Sequence, residues 1–325
     1  MSGNKRINIA TALNSKYMRY VYVMLTSLFD SQPQDIEDIH VYLLHSDLTD
    51  SDQRCLEELS HRKGGSIHWL FVDRKLFAGE LPTNTRWTLE IYYRLLLADI
   101  LPVEVSRLLY LDVDVIVNGS LKELFFSDLE GNVISACKDS AKLPFPAERA
   151  ELFEDQIRNG FTYFNSGVLL MDIAALRKKY CFKYYMEVLN ELLPKMWAPD
   201  QDLLNYIHWN EAKILDGRYN VYAKPAYNQG IRYEEVKRTA AIVHFTAQKP
   251  WEGEYVHYDI ERLWWDYAQR TPFYHEFLEE FVYASITSPM IYETMQKMSE
   301  EKQELCEELK KSAALCQTLS QMLHM

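Results

Sequence analysis

The stretch RLLYLDVDVIVNGS, residues 107–120, decides how the rest of the chain is read. Leu108, Leu109, Leu111, Val113, Val115, Ile116 and Val117 make an apolar, partly β-branched run of the kind that forms a buried strand. Asp112 and Asp114 lie inside it. On a strand, side chains two residues apart point the same way, so both carboxylates would present oxygens to one place. Carboxylates that close repel, and each raises the other's pKa, unless a cation sits between them. Oxygen ligands suit Mg2+ or Mn2+, and Mn2+ also accepts an imidazole nitrogen. A plainer reading makes one Asp the cap of a turn before Asn118-Gly119-Ser120 and leaves the other in solvent. The apolar residues on both sides favour the metal.

Outward from this strand, the chain alternates. INIATAL (7–13) leads to an amphipathic stretch at 17–32, and HVYLLH (40–45) to a charged helical stretch at 48–59 with Thr49 or Ser51 as cap. SIHWLFVD (66–73) follows a Gly-Gly break, and WTLEIYYRLLLADIL (87–101) reads as a helix stopped by Pro102. Later come VISACKD (133–139), FTYFNSGVLLMD (161–172), a long helix near 174–193, a shorter one after DQD (200–202), and a last strand in AAIVHFT (240–246). Residues 259–281 suggest helices packing aromatics. This βαβα order predicts an α/β fold with a mostly parallel sheet between helices, whose ligands bind beyond the carboxyl ends of the strands.

Composition narrows the classes. The 325 residues are 48% apolar, enough for a sizeable core, and the net charge is -12, which disfavours nucleic acid as a partner. Five scattered cysteines with no CxxC argue against a disulfide framework or a zinc site and fit a reducing compartment. The polar N-terminal lead is unlike a signal peptide, and Arg19, Arg94 and Pro102 interrupt the apolar stretches before they could span a membrane. The expected protein is cytoplasmic, with the inner membrane surface as a place for peripheral binding. No GxGxxG, GxxxxGK[ST] or GxSxG occurs, so dinucleotide, P-loop and serine-hydrolase chemistry are disfavoured. A nucleotidyltransferase also uses paired Asp on a strand, but its Gly- and basic-rich N-terminal loop is missing from ALNSKY (12–17).

LYLDVDVIV, followed in order by YFNSGVLLMDI (163–173), PDQDLLN (199–205) and HFTAQKPW (244–251), resembles glycosyltransferase family 8, over about residues 5–280. The resemblance implies a GT-A fold, a single nucleotide-binding domain at 1–283 followed by a helical tail at 284–325. It implies a retaining hexosyltransferase that moves glucose or galactose from a UDP-sugar to a glycan, lipopolysaccharide or similar acceptor. Asp112, Asp114 and His244 then match the metal ligands, for Mn2+ or Mg2+. Ala12, Asn14 and Tyr17 in ALNSKY, with Val113, match the nucleotide contacts, although Asn14 stands where an Asp is usual and equally suits an Asx turn. Arg94 matches an arginine near the donor phosphate; an Arg on an apolar face must find an acceptor, and a structural ion pair would also serve. Asp139 and Asn165 match groups that hold donor-sugar hydroxyls, and Lys249 offers a charge to the diphosphate. Asp200 and Gln201 match the residues nearest the reacting carbon; read alone, PDQD is a helix start with Asp200 as N-cap.

From Ile291 onward, apolar positions step 4,3,4,3 to Leu323, with weak members at Lys302, Ser312 and Cys316. This seam suits one amphipathic helix on its own domain, or a coiled coil joining a second copy or another partner. An alternative function follows: a retired GT-A fold acting as an assembly module through this helix.

Overall fold

The computed structural model describes residues 6–77, 81, 88–140, 147–246 and 248–323. Its strands are β1 (Ile7–Ala12), β2 (Ile39–His45), β3 (Ser66–Phe71), β4 (Arg107–Leu111), β5 (Val115–Val117), β6 (Ile134–Lys138), β7 (Phe164–Asp172), β8 (Ala212–Ile214), β9 (Val221–Tyr222) and β10 (Ile242–His244). They form a seven-stranded sheet, ordered β3-β2-β1-β4-β7-β6-β8, and a three-stranded sheet, ordered β5-β10-β9. In the large sheet β1 pairs parallel with β2 and β4, β2 with β3, and β6 with β8. β7 alone runs antiparallel to its neighbours, β4 and β6. Both faces are dry. Ala10, Leu108 and Leu169 lie in the cluster covered by Leu95, Leu97, Ile173, Leu189 and Leu203, while Ile9, Val41 and Leu109 are buried on the opposite side of the alternation.

β7's reversal has a consequence for the site. Its first residues lie at the same sheet edge as the carboxyl ends of β1, β4 and β6. Asn14, Asp112, Asp139 and Asn165 therefore arrive at one edge. The register confirms it: the Asp112 N–H donates to the Gly167 carbonyl at 2.8 Å, and the Asp139 N–H to the Tyr163 carbonyl at 2.9 Å.

Three local expectations are corrected. The DVD motif is not within one strand: β4 ends at Leu111, the chain turns through Val113-Asp114, and β5 begins in the other sheet. Described from Thr88 onward, the stretch expected as a helix over 87–101 is a 3-10 helix, Leu89–Leu96, leading into one α-turn, Leu97–Ile100. The long helix near 174–193 is two, Ile173–Lys179 and Phe182–Leu192, broken where Tyr180 and Cys181 turn extended. The Thr49 cap is present as a full capping box with Asp52.

The chain divides into two compact units. One holds residues 6–246 and 258–272, with both sheets. The other holds residues 248–257 and 273–323. In it, helix Tyr274–Thr287 is tied to the preceding segment by Ser285 Oγ donating to the Gly253 carbonyl at 2.8 Å, and Ser288 Oγ bonds the Glu254 carbonyl at 2.7 Å. Helix Pro289–Leu323 follows. Among the described residues no helix is long and apolar enough to cross a membrane.

In the first unit, His208 closes helix Pro199–His208 fully buried, its Nε2 bonded to the Tyr185 hydroxyl at 2.8 Å. Burial pushes its pKa down from 6.5 to about 4, against the opposing pull of Glu211. The folded-state value is below the unfolded one, so stability is full above 6.5 and falls as pH drops toward 4, where the unfolded chain takes the proton first. The expected slope in that window is about 1.4 kcal/mol per pH unit from this group. Urea unfolding across the window should show a shallower acid limb in His208→Gln; an unchanged slope would contradict the assignment.

Candidate active site

Asp114 is carried on the turn between β4 and β5, and His244 reaches it because β10 pairs with β5. Val115 lies opposite His244, and the Phe245 N–H donates to the Asp114 carbonyl at 3.0 Å. His244 Nε2 is 3.2 Å from Asp114 Oδ1 and 3.9 Å from Asp112 Oδ2. One ligand atom from each of the three residues lies within 4.8 Å of the others. Gly167, on β7, makes room for them: a Cβ there would stand 2.3 Å from His244 Cε1 and 2.6 Å from Asp112 Oδ2.

The hydrogen-bond chain behind this cluster fixes what His244 offers. The Gly167 N–H can only donate, so Asn165 Oδ1, 2.9 Å away, accepts. Asn220 Nδ2 then donates to that same oxygen at 2.9 Å, which turns Asn220 Oδ1 toward His244 Nδ1 at 3.0 Å. His244 therefore donates from Nδ1, which leaves Nε2 facing two carboxylates. Three electron-rich groups facing one another require a cation: a second proton on the ring or a metal ion. Two oxygens and one nitrogen within this span fit Mn2+ or Mg2+.

Arg94, 4% exposed, sits on the other side of Asp112. Its Nη2 donates to Asp112 Oδ1 at 2.8 Å, its Nη1 to the Ser166 carbonyl at 2.5 Å, and its Nε lies 3.4 Å from Asp200 Oδ2. The guanidinium carbon stacks over the Tyr110 ring at 4.5 Å. Burial would lower the Arg94 pKa, but Asp112, Tyr110 and Asp200 outweigh it and the net shift is upward. Burial raises the Asp200 pKa, opposed by Arg94 and reinforced by Asp112. Asp200 Oδ2 also accepts from Ser166 Oγ at 3.0 Å.

Asp139, Asn165 and Gln201 interlock. Asn165 Nδ2 donates to Asp139 Oδ2 at 3.1 Å and to Gln201 Oε1 at 2.9 Å, and Gln201 Nε2 donates to Asp139 Oδ2 at 3.3 Å and the Tyr163 hydroxyl at 3.0 Å. Tyr163 in turn donates to Asp202 Oδ1 at 2.6 Å. Asp200 is not the N-cap expected of it: Ala198 holds that position with Pro199 at the first turn, and Asp202 reaches back to the N–H groups of Trp197 and Ala198. The helix start thus frees the Asp200 side chain for Ser166 and Arg94.

Asn14 caps the 3-10 turn Ser15–Tyr17, accepting from the Lys16 N–H at 3.1 Å, and donates to Glu90 Oε2 at 2.9 Å. Ala12 ends β1, Tyr17 is half-buried, and Val113 sits on the DVD turn. Lys249 belongs to the second unit, where its N–H donates to Glu252 Oε2 at 3.0 Å. The sequence reading missed Glu90, Ser166 and Asn220. Only Glu90 left a trace, as an acid in the apolar stretch of Leu89–Leu96.

The family model for glycosyl transferase family 8 matches residues 8–254. The chain belongs to that family. It is 30% identical over 254 residues to a lipopolysaccharide 1,2-glucosyltransferase of Escherichia coli K12, covering 75% of this chain and 72% of the relative. It is 27% identical over 254 residues to a lipopolysaccharide 1,3-galactosyltransferase of Salmonella typhimurium, covering 76% and 74%. Among solved structures, an active-site mutant of LgtC superposes with a TM-score of 0.69 at 25% identity, covering 81% of this chain and 96% of that one. The family member described here is a hexosyltransferase with the GT-A fold. Its mostly parallel sheet, flanking helices and helical C-terminal region are those expected from the sequence. The reading as a retired assembly module is not favoured.

Gly167→Ala tests the crowding directly. Mn2+ affinity, read by calorimetry, should fall by roughly tenfold or more, as when a metal ligand loses its supporting geometry. Gly217→Ala, whose Cβ would meet nothing within 4 Å, should leave it unchanged. Equal affinity in both variants would contradict the geometry.

Proposed function

We propose that this enzyme transfers glucose or galactose, with retention, from a UDP-sugar to a hydroxyl of a glycan or glycolipid of the lipopolysaccharide kind. The observation that carries the reading is the convergence of Asp112, Asp114 and His244 Nε2 on one point at the sheet edge. Those three residues would hold Mn2+ or Mg2+. Such an ion, when bound, supplies a Lewis acid for the diphosphate leaving group. The two relatives, one a glucosyltransferase and one a galactosyltransferase, support a hexose donor.

The chain's own groups then divide the work. Ala12, Asn14, Tyr17 and Val113 would line the nucleotide at the ends of β1 and β4. Lys249 would add a point charge to the diphosphate. Asp139, held by Asn165 and Gln201, would present a preorganised carboxylate to donor-sugar hydroxyls, and Asn165, whose own amide is fully engaged, would hold it in place. Arg94 aims the Asp112 carboxylate through its hydrogen bond while it stacks on Tyr110.

The transition state at the anomeric carbon is oxocarbenium-like and gains from nearby oxygen ligands. Asp200 and Gln201 are placed in the reaction by family resemblance. Gln201 is an uncharged amide with its oxygen accepting from Ser166 N–H and Asn165, which suits orientation and not attack. Asp200 is buried and bonded to Ser166 Oγ, beside Arg94. This arrangement supports entry of the acceptor hydroxyl on the face that the diphosphate leaves, with both residues positioning. A glycosyl–enzyme adduct on Asp200 or Gln201, caught by mass spectrometry, would overturn the same-face route. The scattered cysteines support action in the cytoplasm, with a glycolipid acceptor met at the inner membrane surface.

The test is calorimetric titration with UDP, UDP-glucose and UDP-galactose, with and without Mn2+, on the natural protein and on Asp114→Asn. One UDP-hexose should bind tightly only with the metal, and at least about tenfold more weakly to the variant, a loss of about 1.4 kcal/mol. Metal-independent binding that the variant retains would sink the proposal.

A further inference from the structure

The C-terminal helix Pro289–Leu323 carries a seam that its own chain leaves uncovered where it is described: Met295 is 66% exposed and Leu309 61%, with Met298 and Leu305 similar. Exposed apolar side chains at this spacing mark an interaction surface. At a 1.5 Å rise, the stretch from Ile291 to Leu323 is about 48 Å long, beyond the three to four heptads that a coiled coil needs. We propose that the seam pairs with the same helix of a second copy, antiparallel and centred on Glu307, to form a two-stranded coiled coil.

Register and charge both point to this occupant. Stepping in heptads puts Met295, Lys302, Leu309, Cys316 and Leu323 at a, and Ile291, Met298, Leu305, Ser312 and Leu319 at d. In an antiparallel pair, a faces d. Centring on Glu307 sets Leu305 against Leu309 of the second copy, Met298 against Cys316, Met295 against Leu319, and Ile291 against Leu323. The two polar members then meet each other, Lys302 over the small Ser312. In that register no lysine faces a lysine and no large apolar side chain faces Lys302. A parallel pair would stack Lys302 on Lys302.

The charge distribution agrees. Residues 291–308 carry six glutamates against two lysines, whereas 309–323 carry Lys310 and Lys311 and no acid. An antiparallel pair lays each acidic half along the other copy's basic half; a parallel pair lays acid along acid. Helix dipoles also oppose one another favourably only when antiparallel. The one like-charge approach is Glu308 to its own copy near the dyad, with Lys311 one turn away on the same face.

Two cysteines separate the arrangements. Cys306 flanks the seam next to the dyad, so the two copies of Cys306 lie close in the antiparallel pair, whereas the two copies of Cys316 lie about 27 Å apart along the axis. In a parallel pair the Cys316 residues share a layer. The experiment uses the full chain with Cys181→Ser, which removes another exposed thiol. Light scattering during size exclusion should give the mass of two copies. A short bis-maleimide should then join the copies in Cys316→Ser and fail in Cys306→Ser. A monomer mass, absence of any cross-link, or a cross-link that requires Cys316 would overturn the proposal.

Discussion

Three residues of β10 paired with three of β5 bring Asp112, Asp114 and His244 together. Val115 immediately follows the DVD turn, so placing His244 opposite Val115 puts an imidazole beside Asp114 with no freedom left to the backbone. The remaining parts answer to that placement. Gly167 lacks a Cβ because His244 and Asp112 occupy the space where one would stand. Asn220, 2% exposed and just before β9, turns its amide to hold the ring, and Asn165 turns to hold Asn220. Removing either amide would release the imidazole from this orientation.

Charge is the second constraint. Arg94 is buried between two carboxylates, an arrangement whose desolvation cost exceeds its attraction unless further hydrogen bonds complete it. Here they do, through the Ser166 and Ile91 carbonyls. Asp112 thus shares one oxygen with Arg94 and turns the other toward His244. That division explains how a strand end can keep two acids in a dry sheet. One is half neutralised by protein, and each turns an oxygen toward His244.

Part of this was legible in the sequence, where the reason is local. Two Asp in an apolar run are unusual enough in their surroundings to be read without a fold, whereas His244 and Asn165 are reached only through the family resemblance. What could not be read depends on contacts far along the chain. The stop of β4 at Leu111 follows from β5 joining another sheet, not from any breaker in LDVDV. The break at Tyr180 and the 3-10 winding of Leu89–Leu96 obey packing that periodicity does not report. Acids favour helix starts, which suggests Asp200 as the cap, yet Pro199 takes the first turn and the cap falls at Ala198. Asn220 lies beside a two-residue strand and gave no signal at all.

The central claim is that one cation is held jointly by His244 and the two Asp, in contact with the donor diphosphate. Pulsed electron paramagnetic resonance of Mn2+ with the protein and UDP reads both contacts at once. The account predicts a hyperfine coupling from one imidazole nitrogen, abolished in His244→Ala, together with phosphorus coupling from UDP. Phosphorus coupling without nitrogen, or a signal matching free hydrated Mn2+, would contradict it.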